Sequence, residues 1–261
     1  MDPVAAALAR LYDLDLAVDP GDMDLYLALA ARTGGPIVEL CAGTGRIANP
    51  LAIAGHDVVA VDRDPAMLER ARQRASAGRP ASGGRLTFIE GDLFTAPIPD
   101  AGTYRLAILG LNSLLLLGGP RRQCRAVEIL AGLVAPGGIV VIDAWQPLPE
   151  DLVRFDGRLG LEWVRRDPDT GLDTTKSAAA WYDPAARSVT LASLFDEGRP
   201  GAPTVRWIRE DSLHLTSADE LRTWVEDAGL DVEAIASDYD LATLGPGDGR
   251  TIVVARRPDG P

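Results

Sequence analysis

Apolar and polar positions along this chain follow two rhythms, and the change falls near residue 150. In the first part, short apolar runs of strand length alternate with segments whose apolar residues recur at helical spacing. PIVELC (36–41) reads as a short buried strand, and GRIANPLAIAG follows at helical spacing and stops at Gly55. DVVAVD is a second strand. PAMLERARQRA, with Pro65 in a first-turn position, is a helix rich in helix formers. RLTFIEGD, after the loop GRPASGG, is a third strand and YRLAILGL a fourth. RRQCRAVEILAGLVA is a helix ended by Pro136-Gly137-Gly138, and GIVVIDAW is a fifth strand. This alternation builds a parallel sheet covered by helices on both faces.

The second rhythm is strand after strand. LGLEWVRRD, TTKSAAAWYD, RSVTLASLFDE and TVRWIREDSLHL are joined by the turn sequences DPDTG, DPAA and GRPGAP. They predict an antiparallel insertion of three or four strands. SADELRTWVEDAGL then returns to helix, with Ser217 and Glu220 at capping-box spacing and Gly229 past the last turn. DVEAIASDYD and RTIVVARRP close as a strand pair. The expected organisation is a helical cap over 1–34 with an acidic loop at 19–24, an α/β domain over 35–150 and 212–261, and the insertion over 151–211 as substrate lid or dimer interface.

Composition narrows the partners. The 261 residues are 46% hydrophobic, enough for a core, and the net charge is −12, which argues against nucleic acid as the main partner. Two cysteines, Cys41 and Cys124, build neither a disulfide framework nor a cysteine metal site, and no metal is expected. The N-terminus carries early acids rather than a secretory pattern. The greasiest stretch, LAILGLNSLLLLGG, is broken by Gly110, Asn112 and Ser113, so no membrane span is expected. A cytoplasmic protein follows, with the insertion as a candidate homodimer surface.

The chemistry centres on VELCAGTGR. Gly43-Thr44-Gly45-Arg46-Ile47-Ala48 fits the loose G-x-G-x-x-G/A turn between a strand and a helix, which brings backbone N–H groups close to a ligand. Asp62 ends the second strand, where a carboxylate can accept both hydroxyls of a ribose. These two features serve a nicotinamide dinucleotide and other adenosine ligands equally. Glu39 inside the first strand disfavours a pyrophosphate and suits a ligand carrying an ammonium and a sulfonium. Asp92, after Gly91, can accept from an adenine amine. Asn112-Ser113 follows the fourth strand at the crevice where open α/β sheets bind ligands.

With these motifs the chain resembles the class I S-adenosylmethionine-dependent methyltransferases. VELCAGTGR, VVAVDRDPAMLERAR, FIEGDLF, NSLLLL and LVAPGGIVVID carry the resemblance, which is good over roughly 35–145 and moderate over 212–257. It implies a Rossmann-like α/β fold with a seven-stranded sheet of order 3-2-1-4-5-7-6, the last strand antiparallel. It suggests the subgroup that modifies small molecules, including bacterial sugar N-methyltransferases and other natural-product tailoring enzymes. S-adenosyl-L-methionine is the implied cofactor. Glu39, Ala42, Gly43 and Gly45 would line its methionine part, and Asp62, with Arg63 beside it, would bind the ribose. Met67 would pack on the adenine, although it also fits the core face of its own helix. Gly91, Asp92 and Leu93 would frame the adenine edge, and Leu109, Gly110 and Leu111 would lie under the sulfonium. Tyr12 would close over the cofactor from the cap or lie on the surface of its helix. Cys41 stands where the family usually has glycine and reads as a small buried residue under the turn.

On the acceptor side, His214 is a candidate base or a structural histidine, and His56 lies at the far end of the sheet. Asp143 ends the fifth strand and is a candidate partner for a cationic amine or a local backbone cap. Asn112, Ser113, Trp145, Tyr182 and Tyr239 are candidate acceptor residues. Trp163, Trp181, Tyr182 and Trp207 either pack the insertion or wall a pocket or dimer interface. Methyl transfer to nitrogen or oxygen of a small molecule is the first reading. Rival readings are aminocarboxypropyl transfer or cyclisation from the same cofactor, a nicotinamide-dependent oxidoreductase, and a non-catalytic binding subunit.

Overall fold

Two helices open the chain in the computed structural model, which describes residues 2–78, 83–199, 201–245 and 247–260. They are α1 (Pro3–Asp15), N-capped by the Asp2 carboxylate, and α2 (Met23–Thr33). The first half then runs β1 (Ile37–Leu40), α3 (Ala48–Ile53), β2 (Val58–Asp62), α4 (Pro65–Gly78), β3 (Leu86–Glu90) and β4 (Tyr104–Leu109). A short 3-10 turn (Ser113–Leu117) leads to α5 (Pro120–Leu133) and β5 (Val134–Trp145). After α6 (Pro149–Arg154) come β6 (Gly160–Arg166), β7 (Asp173–Asp183), β8 (Ser188–Gly198) and β9 (Val205–His214). The chain ends with α7 (Ala218–Asp227), β10 (Asp231–Ala236) and β11 (Arg250–Arg256).

Seven strands form one sheet in the order β10-β11-β5-β4-β1-β2-β3, the expected topology. β1, β2, β3, β4 and β5 are parallel, and β11 runs antiparallel between β5 and β10. The central strands are apolar on both faces because helices cover both. Val38, Leu40, Ala107, Leu109 and Ile142 pack under α5 and α7, and Ile37, Ala60, Ile108 and Val141 under α2 and α3. The capping box is present: the Ser217 hydroxyl accepts from Glu220 N–H while the Glu220 carboxylate accepts from Ser217 N–H.

The insertion is a four-stranded antiparallel meander, β6-β7-β8-β9. Its turns are those the sequence predicts, except that Pro200 of GRPGAP lies outside the described residues, as do residues 79–82 of the loop before β3. Three local expectations change. GRIANPLAIAG gives helix only over Ala48–Ile53, because the turn itself occupies the positions before it. Pro136-Gly137-Gly138 does not separate helix from strand but lies inside β5, at a register shift against β4. Gly137 takes φ +72° there and its N–H donates to Arg257 O at 2.8 Å; a Cβ on Gly138 would stand 2.8 Å from Tyr104 O. SLLLL closes as a 3-10 turn after two consecutive left-handed residues, Leu111 and Asn112.

Candidate active site

A cavity of about 350 Å³ opens at the carboxyl ends of β1, β2, β3 and β4, between the sheet and the meander. Its sheet-side wall is made by turns. Gly43 takes φ +54° and Gly45 φ +72° after β1. A Cβ on Gly45 would stand 2.4 Å from Asn49 Nδ2 and 3.0 Å from Ala71 Cβ, so the loop approaches its helix closely only because the residue is glycine. The Asp62 carboxylate ties this turn to β2, accepting from Gly43 N–H at 2.7 Å and Asp64 N–H at 2.9 Å. Burial raises its pKa against these two donors. Asp92 accepts from Phe94 N–H at 2.9 Å and lies 3.6 Å from Arg122.

Under the turn lies a carboxylate without a full set of partners. Glu39 is buried, its Oε2 has no hydrogen bond, and burial pushes its pKa up to about 8 against the opposing charge of Arg46 and the N–H of Ala48. Arg46 itself is spoken for: Nη1 and Nη2 donate to fully buried Asp22 at 2.6 Å, a fork that closes the acidic loop before α2 over the glycine turn. The Tyr26 hydroxyl is also buried and unbonded, beside Gly110, where a Cβ would meet it at 3.0 Å.

A second turn, Gly110 to Ser113, is held by Asp143. Leu111 and Asn112 both adopt positive φ (44° and 65°), which side-chain-bearing residues avoid unless their surroundings hold them there. Leu111 N–H donates to Asp143 Oδ2 at 3.3 Å, Asn112 N–H to Asp143 O at 3.0 Å, and Trp145 N–H to Asn112 Oδ1 at 2.7 Å. The rest of the Asp143 carboxylate is taken by Arg250 and by the Tyr239 hydroxyl at 3.0 Å. Burial raises the pKa of Asp143 and the Arg250 guanidinium opposes the rise.

The opposite wall comes from α1 and the inner face of the meander. α1 contributes Leu8, Tyr12 and Asp15; the meander contributes Lys176, Leu191, Ser193, Phe195, Arg209, Asp211 and Leu213. Tyr12 comes within 3.9 Å of a Cβ position on Gly43, and Arg209 lies 5.5 Å over its ring. Ion pairs clamp α1 on both sides. Arg10 reaches Asp167 and, at 2.7 Å, Glu197 on β8. Asp13 holds Arg70 at 2.6 Å and Arg74 at 3.1 Å on α4. Asp15 takes Lys176 at 2.6 Å and the Trp163 indole N–H at 2.9 Å.

Of the residues expected at the cofactor, Tyr12, Gly43, Asp62, Arg63 and Met67 line the cavity, as do Gly91, Asp92, Leu93 and Leu111. Asn112 and Ser113, expected at the acceptor, line it too. Glu39, Ala42, Gly45, Leu109 and Gly110 are buried behind the wall and support it. Cys41 is a correction: at φ +56° it is only half-buried and reaches the cavity, while burial pushes its thiol up to about 12, which leaves it protonated at neutral pH.

The acceptor-side expectations change most. Asp143 does not line the cavity: it is fully buried, and its carboxylate is held by Leu111 N–H, Arg250 and Tyr239. Tyr239 is its donor rather than a cavity residue. His214 does not face the cavity either. Alternation along β9 puts residues 209, 211 and 213 on the inner face and 214 on the outer, where its ring lies against Gly119 with Nδ1 unbonded. Trp145 packs on Phe155 with ring centres 5.8 Å apart, and Tyr182 N–H donates to Phe155 O, both away from the cavity. Asp15, Lys176, Ser193, Arg209 and Asp211 were not legible as site residues, because only strand pairing and the docking of α1 bring them together. His56 lines a separate shallow depression at the amino ends of the strands.

Residues 37–138 match the family described as a methyltransferase domain. The chain is 30% identical over 177 residues to a demethylmenaquinone methyltransferase of Thermobifida fusca, covering 63% of this chain and 71% of that one. Among solved structures it superposes on the CcbJ methyltransferase of Streptomyces caelestis with TM-score 0.77 at 23% identity, covering 92% of this chain and 97% of that one. CalS10 of Micromonospora echinaspora, an amino pentose methyltransferase solved with S-adenosylmethionine bound, gives TM-score 0.69 at 21% identity over 95% of this chain and 96% of that one.

Proposed function

The chain belongs to the class I S-adenosylmethionine-dependent methyltransferases, and on that premise we propose that it transfers the methyl group to a nitrogen or oxygen atom of a small-molecule acceptor, with nitrogen the better fit. The carrying observation is one cavity shared by the Gly43, Asp62, Asp92 and Leu111 turns and by the inner face of the meander.

Three features of the chain fit S-adenosylmethionine. The glycine turn leaves space that side chains would fill, the Asp62 carboxylate reaches the cavity, and buried Glu39 Oε2 lacks a partner beneath the turn. In this reading Gly43 lies against the methionine part with Glu39 and Ala42 supporting the turn from behind, Asp62 and Arg63 hold the ribose, and Met67, Gly91, Asp92 and Leu93 frame the adenine. When bound, the cofactor supplies a methyl group on a cationic sulfur, an electrophile that needs no further activation. The residues therefore act chiefly by position: the Asp143-held turn sets the floor and the meander sets where the acceptor lies.

Nitrogen is favoured because each carboxylate that lines the cavity already has a hydrogen-bond or ion-pair partner among the described residues, so none stands ready as an unengaged base. Asp15 is bonded to Lys176, Asp211 to Arg209, Asp62 to two backbone N–H groups, and Asp92 to Phe94 N–H beside Arg122. An uncharged amine attacks with its own lone pair and loses its proton to water afterwards. A hydroxyl needs a base during the attack. The test is incubation with S-adenosylmethionine and pooled amines and alcohols, followed by mass spectrometry. Products heavier by one methylene, formed one-for-one with S-adenosylhomocysteine and mainly from amines, are expected. Aminocarboxypropyl adducts would overturn the reading, and products only from alcohols would overturn the preference for nitrogen.

A further inference from the structure

The inner face of the meander has a polar centre that the cofactor side does not use. Across the strands Ala178 pairs with Ser193 and Ser193 with Arg209; one step along, Ala180 pairs with Leu191 and Leu191 with Asp211. The two alanines leave the pleated surface open beside Ser193 and Leu191. Ser193 is only 5% exposed and lines the cavity, yet no described residue bonds its hydroxyl. Its oxygen is not one of the sealed, unpartnered polar atoms among the described residues, so it opens onto the cavity, where a ligand can bond it. Arg209 and Asp211 form a fork, Nε to Oδ2 at 2.8 Å and Nη2 to Oδ1 at 3.1 Å, with each side chain about one-quarter exposed toward the cavity. The fork leaves Arg209 Nη1 unbonded among the described residues and leaves lone pairs free on Asp211.

We propose that Ser193, Arg209 and Asp211 form a subsite for two adjacent hydroxyl groups of an uncharged acceptor whose apolar face lies on Leu116, Leu191 and Leu213. One hydroxyl accepts from Arg209, its neighbour donates to Asp211, and Ser193 completes whichever bond remains. The three leucines line the same cavity and give the apolar complement. The acceptor is uncharged because the ions that line this wall balance, Arg209 with Asp211 and Lys176 with Asp15 at 2.6 Å, while Glu162, which also reaches Lys176, is 43% exposed and is not a cavity residue. An extra ion would lose its hydration and find no counter-charge.

This subsite rests on the methyltransferase reading for its purpose, but its binding is testable apart from turnover. Isotope-labelled protein, with and without saturating S-adenosylhomocysteine, is titrated by NMR with three probes on one ring: vicinal cyclohexanediol, cyclohexanecarboxylate and cyclohexylammonium. The diol is expected to give saturable shifts around 191–193 and 209–213 and to bind about tenfold tighter than either charged probe, a difference on the scale of one charge-assisted hydrogen bond. Ser193→Ala and the paired Arg209→Met, Asp211→Leu variant are expected to weaken the diol several-fold while S-adenosylhomocysteine affinity stays within twofold. Absent diol binding, equal binding of a charged probe, or unchanged diol affinity in both variants overturns the subsite. Failure of S-adenosylhomocysteine to bind, with the diol result intact, counts instead against the methyltransferase reading.

Discussion

On the sheet side the cavity is framed by two turns, 43–45 and 110–113, the second with left-handed Leu111 and Asn112, tied down by the carboxylates of Asp62 and Asp143. On the other side it is walled by side chains from α1 and the meander that hold one another by charge. The first wall is rigid because its geometry is fixed by short-range turns and buried hydrogen bonds. The second joins elements far apart in sequence through ion pairs that water reaches in part. A rigid wall suits a cofactor that is always the same. A wall built from separable pieces suits an acceptor that must enter and leave.

Breaking each wall should therefore have different consequences. The largest effect is expected from Asp143→Ala on the sheet side. It strands Arg250 and removes the bonds that hold Leu111, and loss of one partner of a buried pair costs about 3 kcal/mol or more. Chemical denaturation should show a fall of that size; a fall under about 1 kcal/mol would contradict the positioning role, given the ordinary yield of a single buried contact. On the acceptor side, Asp13→Ala leaves Arg70 to Asp169 and Arg74 to Thr44, and both arginines are partly exposed, so the cost is smaller, about 2 kcal/mol. Its sharper signature is kinetic: stopped-flow release of S-adenosylhomocysteine should quicken several-fold, because α1 loses its hold on α4. Unchanged release would mean that α1 is no barrier to the cofactor.

Glu39 gives a pH signature confined to the sheet wall. Burial holds its pKa near 8 against an ordinary value of 4.5. Between these values the unfolded chain has released a proton that the native chain keeps, so rising pH favours unfolding. Relative to Glu39→Gln, the wild type should lose stability progressively from about pH 4.5 to 8 and then level off, as followed by urea midpoints in this window. Parallel curves for the two proteins would show that Glu39 is charged in the native state. The smallest effect is expected from His214→Ala. Its ring is off the cavity, so S-adenosylhomocysteine affinity and any methylation rate should change less than about threefold, under 1 kcal/mol. A hundredfold loss of rate would restore His214 as a base.

The two walls were also unequally legible in the sequence. The glycine turn, Asp62, Gly91-Asp92 and Asn112-Ser113 were visible because each is a local signal at a strand end, and the topology places strand ends together. The four meander strands were visible from their alternation and turn residues. Which of their faces meets the cavity was not, so His214 was chosen although Arg209 and Asp211, on the same strand, occupy the inner face. Asp143 was found with two readings open, an amine partner or a local backbone cap, and its bonds to Leu111 N–H and to Arg250 and Tyr239, more than 90 residues away, decide for the cap. The Asp22–Arg46 fork was missed, since nothing in DPGDMD points to the turn it closes.

The most direct measurement is calorimetric titration of S-adenosylhomocysteine into the purified wild type and Asp62→Ala. Micromolar binding by the wild type is predicted, weakened by roughly 1.5–3 kcal/mol in the variant, the size of a lost hydrogen bond to a charged group. No binding by the wild type would contradict the cofactor assignment, and equal binding by both proteins would contradict the role given to Asp62.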